Sequence, residues 1–290
     1  MADLESSFLA LSLIGVALTM VFSIIAFISR RRAVIASGAE AGNSVEVSQE
    51  VTTGSGGMGI AASFLTALTI LFITLTIIFR GIQSGHGPFS NMYEFALAFS
   101  WGIVVMGTIF QWRYKTAAVK NVGLIVALLL LVFAMVQHSS PEPLVPALQQ
   151  STLLSAHVAS AVVAYGTFTV GFGAAILFLF QNSRNSSWLP DKEILDKMSY
   201  QSVIIGFPFL TLLIVLGALW ADIAWGKYWS WDPKETASLV TWLLYAAYIH
   251  ARVMRGWRGS KAAVLLIVSF GAVLLTFFGN YIFTGLHAYG

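Results

Sequence analysis

Eight runs of apolar residues, each about long enough to cross a lipid bilayer, decide what this chain can fold into. A hydrocarbon core roughly 30 Å thick takes about 20 residues of helix. Within it every backbone N–H and C=O must be satisfied inside the segment, so helices are the solution. The runs cover 8–29, 59–79, 93–112, 121–137, 153–180, 203–221, 233–252 and 262–284. The expected fold is all-α, a polytopic membrane helix bundle of eight transmembrane helices. The fourth run is short and the fifth long, so tilt or shifted ends are expected there. Only 10% of the residues are charged, against roughly 25% in soluble domains, which leaves little sequence for a soluble domain.

The basic residues give the orientation, since cytoplasmic loops are enriched in Lys and Arg. With the N-terminus outside, 13 of the 16 Lys and Arg fall on inner loops and only Arg80, Lys227 and Lys234 on the outer side. Both termini then lie outside, as an even number of crossings requires. The net charge of +3 and pI near 9.2 come from short runs between apolar segments; no basic patch suggests nucleic acid. The first run has no positive segment before it and is too long for a signal-peptide core, so it reads as a retained helix. Residues 33–58, rich in Gly, Ser, Glu and Val, read as a flexible cytoplasmic linker. The expected division is 1–58, a helix plus linker, and 59–290, the main membrane domain. The outer stretch 139–150 holds three prolines and is expected to lie extended. The inner stretch 191–197 is charged and suits a short surface helix. Cysteine is absent, which excludes disulfides, thiolate metal sites and covalent haem on a C-x-x-C-H motif.

Chemistry concentrates between Trp220 and Trp242. Trp220, Trp225, Trp229, Trp231 and Trp242 are five of the nine tryptophans, with Tyr228 among them. Interfacial belts enrich Trp and Tyr, which accounts for one or two of these but poorly for the set. An outer loop carrying this many large rings suits a flat, apolar, aromatic ligand. Asp232, Pro233, Lys234 and Glu235 match N-cap, N1, N2 and N3 of the helix that follows, so the two acids have a capping role available. Lys227 and Lys234 read as solvated loop lysines, or as partners for the carboxylates of such a ligand.

Of the five histidines, His157 lies at the outer end of the fifth run and His287 just past the outer end of the eighth. His86 lies in the outer loop before the third run, and His138 ends the fourth. His250 follows Pro233 by 17 residues, which at about 1.5 Å per residue puts it roughly 25 Å deeper, near the inner side. Taken singly, each suits an interfacial or packing role. Two outer imidazoles flanking an aromatic shelf would also provide both axial ligands of a haem iron.

The pattern Trp225-Gly226-x-x-Trp229-x-Trp231-Asp232-x-x-Glu235 resembles the tryptophan-rich (WWD-type) signature of the haem-handling cytochrome c assembly family. Within that family it resembles the CcsA/ResC type of the system II pathway. The stretches 85–94, 245–252 and 285–289 are similar to segments of the same family, so the likeness spans about 60–290. The resemblance implies that the chain transports and presents haem b, held non-covalently and transiently, for attachment to apocytochrome c. His157 and His287 would be the outer axial ligands, His250 an intramembrane ligand, and Trp225, Trp229, Trp231 and Asp232 the surface that holds the macrocycle. A CcsB/ResB-type membrane partner would supply a second intramembrane histidine. The expected location is the bacterial cytoplasmic membrane, or the thylakoid. No catalytic side chain is assigned. System I haem-delivery or lyase subunits share the loop. A membrane transporter is a rival of another class, disfavoured by helix centres nearly free of ionisable groups; a structural respiratory subunit is another.

Overall fold

A computed structural model describes residues 2–41, 57–87, 90–137, 151–184 and 189–282. It contains eight helices and, among the described residues, no strand: α1 Ala2–Ala41, α2 Gly57–Ser84, α3 Met92–Tyr114, α4 Ala118–Val136, α5 Ser151–Arg184, α6 Lys192–Trp225, α7 Pro233–Met254 and α8 Ser260–Ile282. Each expected run lies within or almost within one helix. Seven helices are long and apolar enough to cross a membrane. The eighth, α7, is 22 residues long and carries Lys234, Glu235, His250 and Arg252 among Ser, Thr and Tyr. It is the polar helix of the bundle.

The chain is a polytopic helical membrane bundle, and its polarity runs inside out. Phe64, Leu129 and Val136 face outward, whereas Arg80, Tyr245 and Tyr248 are among the most deeply buried side chains. Lipid tails solvate apolar surface as well as leucine does, so polar groups turn toward the bundle interior. Two clusters form the core. One joins Leu9, Val16 and Ile73 to Leu97, Leu124 and Leu131 across α1 to α4. The other joins Phe99 to Phe168, Leu210, Tyr245 and Leu266 across α3 and α5 to α8. Helix α3 contributes to both, and α5 packs against α3, α4, α6 and α8. Where α5 meets α6 the contact needs glycine: a Cβ on Gly206 would stand 2.5 Å from the Phe168 ring, so the backbone approaches closely there.

Polar clasps close both ends. At one end Arg80 Nε donates to Glu94 at 2.8 Å, Tyr93 Oη donates to Glu5 at 2.7 Å and Gln83 donates to Glu5 at 2.8 Å, tying α1, α2 and α3 together. At the other end Arg252 holds Asp196 through two bonds of 2.7 and 2.9 Å, and the N–H of Gly259 donates to the same carboxylate at 3.2 Å.

Three expectations are corrected. Helix α1 continues through 33–41, where a flexible linker was expected; residues 42–56 lie outside the described residues. The charged stretch 191–197 is no separate surface helix: Lys192 opens α6 itself, and Asp196 is held there by Arg252. Arg80, counted with the outer loop charges, is fully buried in an ion pair.

Candidate functional site

The tryptophan-rich loop is built by its two flanking helix ends. Gly226 terminates α6 in the left-handed region, φ 72°, and its N–H donates to the Asp222 carbonyl at 2.8 Å, a conformation glycine adopts without penalty. Further along, Asp232 caps α7 in a full capping box with Glu235, and Pro233 takes N1. The capping role read from the sequence is therefore present. Glu235 does more than cap. Its carboxylate accepts from Ser230 N at 2.8 Å, Asp232 N at 3.1 Å and Ser230 Oγ at 3.3 Å, which folds the loop back over the helix start. Trp231 is held at φ 59°, an outlier for a bulky residue, and its indole is 69% exposed.

The five tryptophans do not form one shelf. Trp220 is buried with Trp225 packed edge-on at 4.8 Å. Trp229 lies edge-on to the exposed Trp231 at 5.9 Å. Trp242 is on the far side, its Nε1 donating to Thr211 Oγ1 at 2.9 Å beside Phe207. What Trp220, Tyr228 and Trp229 line is a cavity of about 1240 Å³, its open mouth included, between the ends of α3, α5, α6, α7 and α8. Phe95, Phe99 and Tyr165 add further aromatic wall. The sequence did not single these out, because α3 and α5 meet α6 only through the tertiary fold.

His157 lines the same cavity. Its Nδ1 lies 2.8 Å from the Leu213 carbonyl. A carbonyl can only accept, so Nδ1 is the donor in this contact. That is the arrangement by which proteins orient an imidazole toward a metal. The ring fits because residue 217 is glycine: a Cβ there would lie 2.9 Å from Cε1 and 3.1 Å from Nδ1. Among the described residues no three His, Cys, Asp or Glu converge on one point.

The other predicted residues fall in three places. His250 faces a shallow groove on the outside of the bundle with Phe207, Trp242 and Ile249, away from the cavity that His157 lines. His287 and His138 lie outside the described residues, as does 139–150. His86 sits in the loop before α3, its Nδ1 2.9 Å from the Gly87 carbonyl. Of the two lysines, Lys227 is exposed in the loop and Lys234 lines the cavity. The buried Arg80–Glu94 clasp also serves the site. Glu94 accepts from Ser90 N at 2.7 Å and Ser90 Oγ at 2.8 Å, and Asn91 caps α3 through Glu94 N at 3.0 Å. Ser90 and Asn91 are cavity wall.

The model of the family described as "Cytochrome C assembly protein" matches residues 89–287, a span that takes in the cavity and its loop. The chain belongs to the cytochrome c assembly family. Relatives in the family include the cytochrome c biogenesis protein CcsA of Prochlorococcus marinus, 37% identical over 267 residues, covering 79% of this chain and 84% of that protein. CcsA of Chlamydomonas reinhardtii is 39% identical over 232 residues, covering 76% of this chain and 65% of that protein. Among solved structures, Cytochrome c Heme Lyase CcmF superposes with a TM-score of 0.63 at 18% identity. It covers 96% of this chain, and the chain spans 46% of that structure's length. At that identity the likeness is one of fold.

Proposed function

We propose that the chain receives haem b near the inner side of its membrane and displays it in the outer cavity, non-covalently and transiently, for attachment to apocytochrome c. The observation that carries this reading is His157: an imidazole with Nδ1 bound to Leu213 O at 2.8 Å, seated in a cavity walled by Phe95, Phe99, Tyr165, Trp220, Tyr228 and Trp229. His157 and His287 are the proposed outer axial ligands. Trp229 in the cavity wall, with Trp225, Trp231 and Asp232 of the adjoining loop, is proposed to hold and cover the ring. His250, in its groove on the outer surface of α7, is the proposed inner ligand; a second histidine for that site comes from a CcsB/ResB-type partner. Attachment adds each cysteine S–H of the apocytochrome across a vinyl group, forming a C–S and a C–H bond with no leaving group. Holding the two reactants in register is then the main contribution required. No side chain is assigned acid or base work.

Membrane placement follows the charge pattern. Of the three outer cations, Arg80 is buried in an ion pair and Lys234 lies in the cavity, leaving Lys227 as the exposed one, so the asymmetry behind the orientation deepens. The cavity then opens on the extracytoplasmic face of a bacterial cytoplasmic membrane, or on the corresponding face of a thylakoid.

Absorption spectra test the reading. The chain purified with its partner should show the Soret and α/β bands of six-coordinate haem. His157→Gly and His287→Gly should each shift those bands and be restored by added imidazole. His250→Gly should lower haem occupancy while leaving the bands of the remaining haem unchanged. A purified complex without a Soret band, or His157 and His287 variants spectrally identical to wild type, would sink it.

A further inference from the structure

Lys234 is the cation among the described residues of this cavity wall, and its ammonium makes no contact-distance ion pair with them; the Asp232 carboxylate acts on it through space. It lines the cavity together with Ser90 and Asn91, with Nζ 5.6 Å from the centroid of the Phe95 ring. Its main-chain N–H is engaged, donating to Asp232 Oδ2 at 3.1 Å as part of the cap. The ion pairs among the described residues join Arg80 to Glu5 and Glu94, and Arg252 to Asp196; the Lys234 ammonium is in none of them. The two acids beside it already accept other bonds. Asp232 accepts from the Lys234 amide, and Glu235 accepts from Ser230 and from the Asp232 amide. An ammonium over a ring face in an aromatic cavity has given up water for a weak partner, and an arriving carboxylate would complete it with a charge-assisted bond. Lys227, in the loop ahead of Asp232, is exposed and is not among the residues of the cavity wall.

We propose that Lys234 is the carboxylate anchor of the site, pairing with a propionate at the edge of the macrocycle and so setting how the ring is turned in the cavity. This rests on the haem reading above. It adds a requirement that reading does not make: the ligand must carry a free carboxylate where Lys234 can reach it. Iron protoporphyrin IX and its dimethyl ester separate the two, since both offer the same ring and iron and only the first offers the acid.

The experiment titrates each porphyrin into the full chain in nanodiscs, for wild type, Lys234→Met, Lys234→Arg and Lys227→Met, and follows the Soret band. Partitioning of the ester into lipid is common to all four proteins, so the comparison is the acid-to-ester affinity ratio of each variant against wild type. Losing one charge-assisted bond should lower that ratio about tenfold or more in Lys234→Met. Lys234→Arg should retain most of it, and Lys227→Met should match wild type. Band positions should be the same throughout, because iron ligation is untouched. An unchanged ratio in Lys234→Met overturns the anchor and leaves the haem reading standing. So does binding of neither porphyrin by a folded Lys234→Met, since the lysine would then support the site as a whole. Absence of a Soret band in wild type overturns the haem reading and the anchor together. Should Lys234→Met not fold, Lys234→Gln is read in its place by the same criteria.

Discussion

A Cβ at position 217 would stand 2.9 Å from Cε1 of His157, closer than unbonded carbons approach, so the imidazole owes its seat to a missing side chain on the neighbouring helix. Gly217→Ala should push the ring off the Leu213 carbonyl, shift the Soret maximum and weaken haem binding about tenfold, the equivalent of about 1.4 kcal/mol. The overpacking should cost about 1–3 kcal/mol of stability. Gly206→Ala is the matched control: its Cβ would meet the Phe168 ring at 2.5 Å, well away from His157. That variant should melt at a similarly reduced temperature with an unshifted Soret band. Thermal unfolding and spectra of both proteins in nanodiscs check this. If both variants shift the band alike, the ring is not set by the residue beneath it.

The loop between α6 and α7 is held by one carboxylate rather than by its tryptophans. Glu235 accepts from two backbone N–H groups and one hydroxyl; without it those donors lose their partner, while α7 keeps its Asp232 cap. Glu235→Ala should therefore cost about 1–2 kcal/mol and concentrate its effect at 226–232. Amide exchange there should quicken while helix content by circular dichroism stays constant. Quickened exchange spread evenly along α7 would show instead that the residue supports the helix as a whole. The capping box was legible in the sequence because its members are three residues apart. So were the eight helices, since apolar runs of membrane length have few alternative fates. What local pattern could not supply was the direction of each ring. Trp220 and Trp229 line one cavity and Trp242 turns to Phe207, a division set by how α6 and α7 pack. The extension of α1 through 41 and the opening of α6 at Lys192 were equally hidden, because polar helix ends read like loops until a partner such as Arg252 is placed against Asp196.

At the scale of the whole bundle, the two polar clasps have different reach. Arg80 is fully buried and binds Glu94, which in turn holds Ser90 on the cavity wall. The same guanidinium, on α2, lies 3.8 Å from Glu5 at the start of α1, so the two helices outside the family match are tied to the wall of the site inside it. Arg252 binds Asp196 at the opposite end, where no residue of the outer cavity takes part. Arg80→Met would leave Glu94 and Glu5 buried without their cation, at a cost of about 3–5 kcal/mol. Arg252→Met should cost less, because Asp196 keeps 20% of its side-chain surface in contact with the surroundings and keeps the Gly259 N–H. The sharper contrast is functional. Arg80→Met should weaken haem binding in the outer cavity and speed amide exchange at 90–95, whereas Arg252→Met should loosen the inner ends of α6 and α7 with outer-site affinity unchanged. Titrations and exchange on both variants decide it. Equal losses of affinity would mean that the bundle transmits strain from end to end, and that the cavity wall has no clasp of its own.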